Sequence, residues 1–190
     1  MNAVQAIVIG GSAGGFSALQ RLLAGLDARL PAAVIVCCHI AADTDAALFA
    51  QLLGTHCPLP VTAARERAPI LGGTVHVAPG GYHLLLESDR HFSLSVDPPV
   101  SFARPSIDVL FDCAAEVYGQ HALGVVLTGA NADGAEGLRR MRERGATAVV
   151  QDPATAEAAR MPQAALDRAG ADYCLALDAI PALLNRLCLA

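Results

Sequence analysis

Short apolar runs alternate along the chain with segments whose apolar residues recur at helical spacing. Val4–Ile9 reads as a buried strand, and Phe16, Leu19, Leu22, Leu23 and Leu26 after it fall on one helical face. Ala33–Cys38 predicts a second strand, followed by a helix near Thr44–Leu53. Val61–Ala64 and Thr74–Ala78 predict two further short strands. Tyr82–Glu87 and His91–Val96, joined by Ser88-Asp89-Arg90, have the form of a hairpin. Beyond Pro98-Pro99, Ile107, Leu110, Phe111, Ala114 and Val117 make another helical stripe. The pattern then gives a strand at Leu123–Leu127, a helix at Ala135–Arg144 and a strand at Ala146–Val150. A short helix around Ala164–Arg168, a strand at Tyr173–Leu177 and a helix at Ile180–Leu189 close the chain.

Such alternation predicts an α/β fold: a doubly wound three-layer α/β/α arrangement, with a mostly parallel sheet of about seven strands and an appended β-hairpin. Ligands of such sheets bind at the carboxyl ends of the strands. No repeat, biased segment or linker divides residues 1–190, which are expected to form one domain. Composition agrees, with 54% hydrophobic residues, 16% charged and 4% aromatic, a balance suited to strands covered on both faces. The net charge of −5 comes without a block of like charge, and all 13 basic residues are arginine. No basic patch calls for a nucleic-acid partner. The six cysteines lie mostly in apolar segments without metal-ligand or disulfide spacing, and are expected to be buried free thiols. The first strand begins almost at Met1 with no signal-peptide pattern, and no apolar run reaches membrane-spanning length. The expectation is a cytoplasmic protein without membrane insertion.

The chemistry is expected just after the strands. Gly10-Gly11-Ser12-Ala13-Gly14 matches G-x-S-x-G, whose physical logic is a sharp, strained turn that exposes a serine hydroxyl ahead of a helix N-terminus. The rival reading is a phosphate-binding loop. Ser12 stands where the dinucleotide fingerprint needs its second glycine, and His39 stands where it needs an acid. Glycines before a helix still bind anions of other kinds, so both readings remain open on the loop alone. His39 leaves the strand that neighbours the first one, where an imidazole can take a serine proton. His56, His76, His83, His91 and His121 show no metal-ligand spacing and read as structural or surface residues. Asp133, in Thr128-Gly129-Ala130-Asn131-Ala132-Asp133-Gly134, reads either as the N-cap of the following helix or as the carboxylate that orients His39.

The segments IVIGGSAGGFSALQRLL, VIVCCHI, VHVAPGGYHLLL, RPSIDVLF, VVLTGANADGAEGL and QDPATAEAARMPQAAL together make the chain resemble the catalytic domain of chemotaxis-type protein-glutamate methylesterases, the CheB family. The resemblance implies hydrolysis of glutamyl methyl esters on chemoreceptor-type signalling proteins, and deamidation of particular glutamines. It implies Ser12, His39 and Asp133 as the catalytic residues, and neither metal nor cofactor. Backbone N–H groups near Ala13 and Ala130 are the candidates for the oxyanion hole. Three departures from the family pattern stand out. Ala13 replaces a hydroxyl residue common after the nucleophile, and Ala130-Asn131 replaces a Met-Gly pair. No receiver domain precedes the first strand, which points to a fragment or to a stand-alone enzyme controlled by a separate partner. Arg104 is a candidate for the substrate entrance or for an ordinary capping contact. The alternative to an enzyme is a regulatory binding module that keeps the fold without useful catalysis.

Overall fold

The computed structural model describes residues 3–189. Seven parallel strands form one sheet: β1 (Ala6–Gly11), β2 (Ala33–Cys38), β3 (Val61–Ala63), β4 (Val75–Val77), β7 (Ala122–Val126), β8 (Thr147–Gln151) and β9 (Tyr173–Leu175), in the order β3-β4-β2-β1-β7-β8-β9. The two remaining strands, β5 (His83–Leu86) and β6 (Phe92–Ser95), pair antiparallel as the expected hairpin. Among the described residues six α-helices flank the strands: α1 (Gly15–Ala24), α2 (Ala46–Leu53), α3 (Ile107–Tyr118), α4 (Ala135–Glu143), α5 (Arg160–Ala169) and α6 (Ile180–Leu189).

The period-2 geometry of the strands divides the interior into two cores. Ile7 and Ile9 of β1 point to the side covered by α1, α2 and α6, while Ala6 and Val8 point to the side covered by α3, α4, α5 and the hairpin. Both faces are covered, which explains why β1, β2 and β7 are buried along their whole length and read as unbroken apolar runs. The strand order turns over at β1, which has β2 on one side and β7 on the other. The carboxyl ends of these three strands therefore meet at one crevice, the place where doubly wound sheets hold their ligands.

The first strand sits two residues later than the apolar run suggests. Gly10 and Gly11 belong to the ladder, pairing with Cys37 and Cys38 of β2. The lack of a side chain at Gly10 serves packing: a Cβ there would lie 2.4 Å from Cγ2 of the fully buried Ile107, at the start of α3. The α5 helix begins four residues before the expected segment, at Arg160, because Met161 and Pro162 are buried and extend its inner face. The cysteines are all free, but only Cys37 and Cys38 are buried; Cys174, on the edge strand β9, is exposed.

Gly10→Ala is expected to lower the unfolding free energy by about 1–3 kcal/mol, because the β-branched Ile107 has nowhere to move. Urea denaturation checks it, and an unchanged midpoint would show that α3 can shift freely on β1.

Candidate active site

Ser12 follows the last residue of β1, His39 the last of β2, and Asp133 lies in the loop between β7 and α4. The sheet brings the three together. His39 Nδ1 lies 3.1 Å from Ser12 Oγ, and His39 Nε2 lies 2.7 Å from Asp133 Oδ2. With Nε2–H donating to the carboxylate, Nδ1 keeps its lone pair for the serine hydroxyl. The His39 side chain is 14% exposed and Asp133 is 0% exposed, so solvent reaches the imidazole but not its carboxylate.

The backbone around Ser12 corrects the strained-turn reading. Ser12 does not have a positive φ; the left-handed residue is Gly14, at φ 72°, directly before α1. The loop is held from the segment just after β7. Thr128 carbonyl accepts from Ser12 N–H at 2.9 Å, and Thr128 Oγ1 donates to Ala13 carbonyl at 2.9 Å. Gln151, at the end of β8, accepts from Thr128 N–H at 2.9 Å and fixes that clamp in turn. Among the described residues, the N–H groups of Ala13 and Ala130 have no hydrogen-bond acceptor within the chain.

Asp133 is a helix cap, though not of its own helix. Its carboxylate accepts from the N–H groups of Ile107 at 2.7 Å and Asp108 at 3.0 Å, the first turn of α3, and from Ser106 Oγ at 2.9 Å. Asp108 returns the contact, its Oδ1 accepting from Gly134 N–H at 2.9 Å and Gly137 N–H at 2.7 Å at the start of α4. Two helices thus cap one another. Burial alone would push the Asp133 carboxyl up, but the donors on His39, Asp108, Ile107 and Ser106 overcome it and hold the group below its ordinary range. Asp108 has fewer donors. Burial and the neighbouring Asp133 charge raise its carboxyl to about 6.

Sequence reasoning did not assign Ser106, Asp108, Thr128 or Gln151 to the site. The signal for the first two was a Ser-x-Asp at a helix start, a local capping pattern whose partner lies a long way off in sequence. His83 joins them, accepting from Ser106 N–H at 3.2 Å through Nδ1 and donating from Nε2 to Pro98 carbonyl at 3.1 Å. It is structural, as expected, but it braces the site. Arg104 donates to the carbonyls of Val96 and Asp97 at 2.8 and 3.1 Å, an ordinary loop contact. Burial pushes the Cys37 thiol well up and the Cys38 thiol to about 11, so neither neighbouring sulfur competes with Ser12 as a nucleophile. Among the described residues, no group of three or more His, Cys, Asp or Glu side chains is placed to hold a metal ion. No described helix is long and apolar enough to cross a membrane.

Comparison with known proteins gives a consistent answer. Residues 7–184 match the family model described as CheB methylesterase. The chain is 46% identical over 183 residues to a protein from Leptospira interrogans, covering 96% of this chain and 94% of that one. It is 39% identical over 178 residues to the protein-glutamate methylesterase/protein-glutamine glutaminase of Hydrogenovibrio crunogenus, covering 92% of this chain but only 47% of that longer relative. The crystal structure of the Thermotoga maritima CheB methylesterase catalytic domain superimposes with a TM-score of 0.92 at 29% identity, over 98% of this chain and all of that one.

The raised Asp108 carboxyl has a consequence for stability. An acid that holds its proton more tightly when folded makes the fold lose stability as pH rises from about 4, where the unfolded group titrates, to about 6. Asp108→Asn keeps an oxygen for Gly134 and Gly137 and removes that titration. The variant is expected to gain on the wild type as pH rises across this window, with no further gain above it. Urea titrations at a series of pH values check this; a constant difference would reject it.

Proposed function

Because this chain belongs to the CheB methylesterase family, we propose that it hydrolyses glutamyl methyl esters on a chemoreceptor-type protein, and deamidates glutamine side chains by the same route. The observation that carries this reading is the unbroken run of hydrogen bonds from Ser12 through His39 to Asp133 at the switch point of the sheet.

In this mechanism Asp133 keeps the proton of His39 on Nε2, which leaves Nδ1 to remove the Ser12 proton as Oγ attacks the ester carbonyl. The imidazolium that forms lies against a carboxylate already held in its charged form, so the charge separation is stabilised where it arises. The N–H groups of Ala13 and Ala130 are the donors for the oxyanion, as neither has an acceptor among the described residues. Protonated Nδ1 then passes its proton to the departing methoxy oxygen, and methanol leaves an acyl-serine. Water, deprotonated by the same Nδ1, attacks the acyl carbon and releases glutamate with Ser12 restored. For a glutamine side chain the departing group is ammonia. Residues 1–190 act together as the catalytic domain, and every step uses only side chains, backbone and water.

Methanol release from a chemoreceptor fragment methylated on its glutamates tests this. The wild type is expected to release methanol. Ser12→Ala is expected to lower the rate by about 10³-fold or more, and Asp133→Asn by about 10³–10⁴-fold through loss of the required tautomer. Equal release by wild type and Ser12→Ala would remove the serine mechanism.

A further inference from the structure

The turn ahead of α3 is built against its own local preferences. Val100 and Ala103 form an antiparallel bridge, each N–H donating to the other's carbonyl at 3.1 and 2.9 Å, with Ser101 and Phe102 as the two central residues. Both central residues have left-handed backbone, φ 51° and 62°. Two-residue turns of this hand favour Asn-Gly, and a bulky aromatic in the left-handed region is an outlier. Phe102 gains nothing inside the chain for that strain, because its ring is fully exposed. Asn or Gly there would relax the backbone and remove apolar surface from water. The reason for the phenylalanine therefore lies outside the chain.

Several contacts place this turn at the rim of the candidate active site. Arg104 ties it to Val96 and Asp97 through their carbonyls. Gly81 N–H donates to Arg104 carbonyl at 3.2 Å. The adjoining Gly80 packs so closely on the segment after His39 that a Cβ on it would lie 2.2 Å from Ala41 carbonyl oxygen. On the other side the chain runs from Phe102 to Ser106, which donates to Asp133, within about 14 Å of backbone. Val96 and Val100, in the segment leading into the turn, are exposed, and so is Tyr82, which follows Gly81.

We propose that Phe102, with the exposed Val96 and Val100 of the same segment, is a specificity element that docks against an apolar stretch of the substrate protein next to the methylated glutamate. This rests on the function proposed above, since a glutamyl ester borne by a protein reaches Ser12 only with the surrounding protein surface laid across the rim. The patch is continuous with that rim through Gly81 and Ala41 on the His39 side and through Ser106 on the Asp133 side. The substrate protein is therefore the occupant assigned to it.

The test uses the full chain, a methylated chemoreceptor fragment and the small ester p-nitrophenyl acetate. Phe102→Asn, which suits the left-handed backbone, is expected to fold with an equal or higher thermal midpoint. Its KM for the receptor fragment is expected to rise by roughly tenfold at little change in kcat, with small-ester hydrolysis as in wild type. Phe102→Tyr should restore the wild-type KM. An unchanged KM in Phe102→Asn overturns the proposal, and an unchanged KM with a loss of self-association in sedimentation reassigns the patch to a second copy of this chain. A wild type that hydrolyses the small ester through Ser12 but releases no methanol from the fragment overturns the substrate reading and the docking proposal together.

Discussion

The Asp133 carboxylate is fully buried, and four donors take the place of water around it: His39, Ser106 and the first two N–H groups of α3. A charge removed from water is tolerated only when its lone pairs are met by well-placed donors. Here the donors belong to elements distant in sequence. The site's carboxylate is thus also the joint between the β7–α4 loop and α3, and Asp108 closes the joint from the other side by capping α4. A position that serves both as cap and as charge holder cannot drift without uncapping a helix. That is a physical reason for the imidazole to be held in a single orientation.

The joint in turn depends on how closely α3 approaches the sheet. Ile107 lies against Gly10 of β1, and a Cβ on Gly134, beside Asp133, would meet the same Ile107 side chain at 2.7 Å. Only bare backbone at both positions lets the N-terminus of α3 reach Asp133. Gly129 has the parallel role earlier in the same β7–α4 loop, where a Cβ would lie 2.5 Å from Met161 sulfur. These glycines are selected by the space between layers. Of these three, Gly134, at φ 91°, adds a conformational demand to it.

Much of this was legible in the sequence, and the physical reason is the burial of the strands. Runs such as AAVIVCC are apolar on both faces because helices cover both, so their positions and the residues that leave their carboxyl ends can be read directly. Ser12 and His39 were accessible in this way. The extent of β1 was not, because Gly10 and Gly11 read as turn residues while their role in the ladder depends on Ile107, which is remote in sequence. Asp133 was readable as a cap but not as the cap of another helix. Local propensity describes an Asp before a helix, whereas the donors that satisfy this one come from tertiary packing. Ser106 was hidden for the same reason: it sits at the N-cap of α3 yet spends its hydroxyl on Asp133.

Two carboxyls lie side by side at this joint, and their surroundings push them apart. Asp133 is held charged by its donors, while Asp108, with two backbone donors and partial burial, is raised to about 6. Like charges at close range do not both ionise easily, and the group with the larger donor set keeps the charge. That group is the one in contact with His39. The negative charge is therefore concentrated where an imidazolium would form, and the first turn of α3 supplies the positive end of a helix dipole that holds it there. The asymmetry follows from which carboxylate faces a helix N-terminus together with a serine hydroxyl and an imidazole. It needs no difference in residue type. Ala13 fits the same picture, because its carbonyl is gripped by Thr128 and the loop holding Ser12 is fixed through backbone rather than through the side chain at position 13.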